Sequence, residues 1–138
     1  GATAIRDFAW NLFAAHYIEM IKPRAYGNDS KAGQKAAHYT LHTCLRTILE
    51  LLSPVIPFIT EEIWSKLYSK KSIHLQQFPE PKWKTNLVEL TPKLIEFNSS
   101  IWNKKKEMKL SLKEIIGTKV PKELKRFEKD LKIMHNIK

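Results

Sequence analysis

The sequence predicts an all-α helical bundle with a basic helical C-terminal extension, and three observations carry that expectation. Apolar residues recur at spacings of three and four in one segment after another, the period of a helix with one buried face. No stretch alternates apolar and polar residues long enough to make a strand. Only 4 glycines and 7 prolines in 138 residues leave room for long unbroken elements, and 43% hydrophobic content is ample for a core.

The first helix is expected over residues 4–22. Ile5, Phe8, Leu12 and Ala15 form one apolar set; Trp10, Phe13, Tyr17 and Ile21 form a second. Pro23 should end it, because proline disfavours helical geometry in the residue before it, and Tyr26 to Ser30 reads as a loop. A second helix, 30–52, takes Ser30 as its cap and buries Ala37, Leu41, Cys44, Leu45, Ile48 and Leu52 before Ser53-Pro54 stops it. The third, 60–69, starts at Thr60 with Glu61 and Glu62 in the positive first turn, and Ile63, Trp64 and Leu67 inward. Trp64 and Leu52 are expected to be buried together. Ser69 to Glu89 reads as an extended crossing segment. Thr91 as cap and Pro92 as a first-turn proline then open a fourth helix, 91–109, with Leu94, Phe97, Ile101 and Trp102 inward. Pro121 opens a last one, 121–135, on Leu124, Phe127, Leu131 and Met134. A soft boundary between Pro79 and Thr91 divides a bundle core, 1–85, from a basic extension, 86–138, packed on it.

The net charge is +10 and unevenly placed: residues 1–69 carry +1, residues 70–138 carry +9. A polyanion is therefore the first partner to consider. No run approaches the roughly 18 apolar residues of a membrane span, so no membrane role is expected. The single cysteine, Cys44, makes no internal disulfide, which points to a reducing, cytoplasmic setting. The opening Gly1-Ala2-Thr3-Ala4 runs straight into helical periodicity without Met and reads as a piece of a longer chain. No sustained heptad seam is visible, so a monomer is expected.

Catalytic and metal chemistry find little support. His38 and His42 are one turn apart, but Tyr39 stands where a zinc-protease motif carries its glutamate, and Cys44 lies about 160° around the helix from His42 by the ~100° step per residue. Four glycines build no phosphate loop, and no nucleophile–base pattern appears, so no catalytic residue, metal ligand or cofactor is assigned to this chain. Nucleic-acid contact fits better. Lys104, Lys105 and Lys106, with Lys109 and Lys113 beyond, offer several ammonium groups to a phosphate backbone. Among the rings of the first helix, Phe13 is the candidate for stacking on an unpaired base.

Three blocks together resemble the anticodon-binding domain of class I aminoacyl-tRNA synthetases, in its valyl form. Phe8 to Arg24 (FAWNLFAAHYIEMIKPR) is similar to a helix of that domain. Leu51 to Trp64 (LLSPVIPFITEEIW) is similar to its "LL-P-x-x-PFITEEIW" segment, and Ser72-Ile73-His74 with Pro79 and Glu80 to its short strand-like crossing. The likeness covers about residues 4 to 80. The isoleucyl and leucyl enzymes share the bundle, but Tyr17-Ile18-Glu19 followed by Lys22 looks more valyl. The catalytic HIGH-like and KMSKS-like signatures are absent. The resemblance implies a helical domain that binds the anticodon stem-loop of tRNA(Val) and positions it for ATP-dependent aminoacylation by a catalytic domain elsewhere in a parent chain, which also carries an editing domain. From the residues themselves, stacking and base-edge contacts are expected around Phe13, Lys22 and Arg24, with phosphate contacts from Arg46 and from Lys104, Lys105, Lys106 and Lys109. The rival reading is a helical protein-interaction module whose lysines serve solubility.

Overall fold

The computed structural model describes residues 1–81 and 85–138, and among these the architecture is helical, with one isolated parallel bridge between Ile116 and Ile137. A continuous rod opens the chain: α1 (Ala2–Asp7), a π-helical stretch (Phe8–Ile18) and α2 (Glu19–Ala25). The rod then turns into α3 (Lys31–Leu52), and α4 (Pro57–Leu67) folds back after it. Two short 3-10 turns (Ile73–Leu75 and Asn86–Leu90) lead into α5 (Thr91–Glu107), and a 3-10 segment (Lys122–Phe127) continues as α6 (Glu128–His135).

The rod departs from the expected two stripes because a π-helix closes its hydrogen bonds over five residues rather than four. That shift aligns Phe8, Phe13 and Tyr17 in one row, with centroids 5.9 and 5.6 Å apart, and turns Trp10 outward at 76% exposure. Pro23 does not end the helix; it lies inside α2. Met20 and Ile21, both buried, hold this turn against the core. Beyond Pro23, the amides of Asn28 and Gly27 bond the carbonyls of Pro23 and Arg24 at 2.9 and 3.0 Å. This is a Schellman closure, and its left-handed position is filled by Gly27 at φ +83°.

Ser30 caps α3 as its sequence suggests, accepting from the Gly33 amide at 3.0 Å. Thr60 does not cap α4. The helix begins at Pro57, whose missing N–H costs nothing there, and the buried Thr60 hydroxyl donates back to the carbonyls of Ile56 and Pro57. The next residues of that motif knit the chain. The Glu61 carboxylate accepts from the Ser72 hydroxyl and the Ile73 amide, each at 2.9 Å, and the Trp64 indole N–H donates to the Lys71 carbonyl at 3.1 Å. Residues 73–75 are thus a 3-10 turn and not the strand-like crossing expected, and residues 82–84 of that segment lie outside the described residues. Trp64 packs with Leu49 and Ile73, against Leu45, Ile63 and Tyr68; the expected partner Leu52 is only half-buried. Likewise α5 takes Leu90, not Thr91, at its cap position, and the stretch after Pro121 is 3-10 before it becomes helical.

One hydrophobic cluster joins both halves of the chain. Met20, Ile21 and Ala37 meet Phe97, Ile101, Leu124 and Leu131, and Ile116 with Ile137 closes the far side.

Two further helix ends carry Schellman closures on non-glycine residues. The Leu110 amide bonds the Lys105 carbonyl and the Lys109 amide the Lys106 carbonyl, at 2.8 and 3.0 Å, leaving Lys109 at φ +54°. A left-handed L-residue costs roughly 1–2 kcal/mol that glycine avoids. Lys109→Gly should therefore raise stability by about 1 kcal/mol, read as a higher urea midpoint at unchanged slope. A lower midpoint would show that the Lys109 side chain makes a stabilising contact that outweighs its backbone cost.

Candidate nucleic-acid interface

The consecutive lysines at the end of α5 have different fates. Lys104 and Lys106 are exposed and form no ion pair among the described residues, as does Lys109 just beyond the helix. Lys105 corrects the sequence expectation. It is 1% exposed, and its ammonium donates to three carbonyls, those of Leu112, Glu114 and His135, at 2.7, 2.7 and 2.8 Å. All three N–H bonds are committed, so none is left for phosphate. Burial pulls its pKa below the usual lysine range, with the nearby Glu114 carboxylate acting the other way.

Around Lys105 lies a buried polar network. The His135 Nε2–H donates to Asn98 Oδ1 at 2.7 Å, and the Asn98 amide nitrogen donates to His16 Nδ1 at 3.1 Å. Trp102 packs on both imidazoles, at 5.3 Å from His16 and 5.7 Å from His135. Burial lowers both histidines, His135 to about 4 with Lys105 and His16 adding to the effect. The network ties the first rod, α5, the 111–116 loop and α6 together.

The remaining candidates divide in the same way. Arg24 is tied to Asp130 at 2.9 Å, joining α2 to α6, and its Nε is buried without an acceptor among the described residues. Lys22 is paired with Glu19 on its own helix and remains half-exposed. Phe13 sits between Phe8 and Tyr17 and lines an apolar cavity of about 270 Å³ with Met20, Cys44 and Leu94. It forms part of an apolar wall, and Trp10 is the ring the rod leaves open. Burial in that wall pushes the Cys44 thiol up, away from reactivity. Arg46 is exposed: its Nε bonds Glu50 at 2.9 Å, and its guanidinium lies 5.2 Å over the Trp64 ring. His38 bonds the Ala25 carbonyl, and His42 packs edge-on to Tyr68. Among the described residues no three His, Cys, Asp or Glu groups converge as a metal site would require, and no helix is long and apolar enough to cross a membrane.

The bundle is rich in cations, with a net charge of +10, which suits a polyanionic partner. The family model described as the anticodon-binding domain of tRNA ligase matches residues 1–120, and the chain belongs to that family. Its relatives are more particular: it is 35% identical to the valine--tRNA ligase of Aeropyrum pernix over 97% of this chain, and 36% identical to that of Pyrobaculum aerophilum over 99%. With the valine--tRNA ligase of Methanosarcina acetivorans identity rises to 49% over 55% of the chain. The chain spans only 17 and 18% of the first two relatives' length. No solved structure matches it.

Proposed function

We propose that this chain binds the anticodon stem-loop of tRNA(Val) as the anticodon-binding region of a valine--tRNA ligase. It positions the tRNA for ATP-dependent aminoacylation by a catalytic domain that lies outside this chain, and has no catalytic role itself. The observation that carries the reading is the match of nearly the whole chain to valine--tRNA ligases, on a bundle whose exposed cations outnumber its acids. Lys22, Arg46, Lys104, Lys106 and Lys109 supply phosphate contacts in this reading. Arg24 holds α6 in place, and Phe13 shapes the wall beneath the contact surface. The protein acts as a monomer in the cytoplasm, alongside the catalytic and editing domains of its parent chain.

A titration with valine tRNA, leucine tRNA and a valine tRNA of scrambled anticodon tests this reading. Valine tRNA should bind at least fivefold more tightly than either control. Affinity should fall steeply with salt, because each phosphate contact releases condensed counterions. Equal affinity for all three would leave a general RNA-binding bundle, and binding that strengthens with salt would favour the protein-docking alternative. Phe13→Ala should lower the melting temperature and leave the ratio between the tRNAs unchanged; a changed ratio would return that ring to the interface.

A further inference from the structure

The outer face of α3 is a second cationic surface, in the half of the chain whose net charge is near zero. Lys31, Lys35, Tyr39, His42 and Arg46 fall within a sector about 80° wide at the ~100° step of a helix, opposite Ala37, Leu41, Cys44 and Ile48 on the packed side. All five are exposed, Tyr39 to 65%. No Asp or Glu occurs from Lys31 to Leu49, and the first acid, Glu50, is buried and paired with Arg46. An ordinary solvated helix face mixes both signs of charge, and this one does not.

The face is also built. Glu50 and the Trp64 ring hold the Arg46 guanidinium from two sides, and its terminal amino groups bond nothing else among the described residues. Trp64 donates to the Lys71 carbonyl, and the Tyr68 hydroxyl donates to the His42 carbonyl at 3.2 Å. Through Trp64, the Lys71 main chain meets the same ring that Arg46 covers, and Lys70 and Lys71 are exposed without ion pairs among the described residues.

We propose that this face, Lys31 to Arg46 with Lys70 and Lys71, is a second tRNA-binding surface, distinct from the lysines of α5, that tracks an RNA backbone along about 22 Å of helix. Arg46 takes a phosphate as a fixed fork, the lysines take its neighbours as mobile point charges, and Tyr39 offers a ring to a base or ribose. The proposal rests on the reading of the chain as a tRNA-binding domain.

The test is anisotropy titration of a valine tRNA transcript against KCl concentration. It compares the parent chain, a Lys35→Gln/Lys70→Gln/Lys71→Gln variant, a Tyr39→Ala variant and a Lys104→Gln/Lys106→Gln variant. The three substituted lysines carry no ion pairs among the described residues, so that variant should melt like the parent. It should bind at least fivefold more weakly near 0.1 M salt and lose about 2 from the salt slope, at ~0.7–0.9 per phosphate contact, equally on matched and scrambled anticodons. Tyr39→Ala should weaken binding about fivefold or more without changing the slope. If the α3-face variant keeps the parent's slope while Lys104→Gln/Lys106→Gln loses it, the second surface falls and the tRNA-binding reading stands. If the parent binds no tRNA at all, both fall.

Discussion

Lys105→Met should lower the stability of the fold by about 3–5 kcal/mol, a large part of the ~5–15 kcal/mol typical of a domain. Met matches the length and apolar stem of the lysine but offers no donor. The carbonyls of Leu112, Glu114 and His135 then stay buried with an unmet acceptor each, where a hydrogen bond from a charged group contributes roughly 1.5–3 kcal/mol. Lys105→Arg should rescue little, because a planar guanidinium cannot aim three donors at three converging carbonyls as a tetrahedral ammonium does. Lys104→Met and Lys106→Met, at exposed neighbouring positions, should change stability by no more than ~0.5 kcal/mol. Urea unfolding of the variants decides it: a Lys105→Met midpoint equal to that of Lys104→Met would mean that the three carbonyls find water instead.

The contrast among three adjacent lysines marks how far the sequence could be read. Helical periodicity located α3 to within a residue and found α5 and the core positions Phe97 and Ile101, because burial of an amphipathic stripe is a property of the chain itself. The same stripe continues at a spacing of four to Lys105, and that was the available signal of its burial. It was masked because a lysine in a lysine run reads as surface, and its three acceptors come from residues 112 to 135, which local pattern cannot place beside it. The π-helical stretch was illegible for a related reason. Its five-residue closure is not encoded by any residue type there, so the 3.6 period put Trp10 and Phe13 on one stripe that the fold separates. Thr60 misled through chemistry: a threonine ahead of two glutamates has the form of a cap, yet Pro57 already satisfies the start of α4. The α3 face was legible in the spacing of Lys35, Tyr39, His42 and Arg46. Averaging charge over half the chain hid it.

The same network should make the fold acid-labile at an unusually mild pH. His135 is buried neutral with a pKa of about 4, against the ordinary 6.5 that it regains on unfolding. Below 6.5 the unfolded chain binds a proton that the folded chain refuses, so stability is fully present above that value and is lost as pH falls toward 4. Between pH 7.5 and 5 the loss from this one residue is about 2 kcal/mol, at 1.36 kcal/mol per pKa unit. His16, also lowered by burial, acts in the same direction. The hydrogen bonds give a structural reason as well: His16 Nδ1 must accept from Asn98, so a proton there would set donor against donor unless the Asn98 amide turned over. Turning it would face the Asn98 nitrogen toward the Nε2–H of His135, so the mismatch passes along the network instead of disappearing. Asp130 acts in the opposite direction, because burial raises its pKa against the pull of Arg24. Urea unfolding at pH 7.5, 6.5, 5.5 and 5.0 should show the midpoint falling steadily, and His135→Gln should flatten most of that slope while leaving the main-chain carbonyl that Lys105 bonds. A parent chain equally stable at pH 7.5 and 5.0 would mean that His135 is reached by solvent and is not buried neutral.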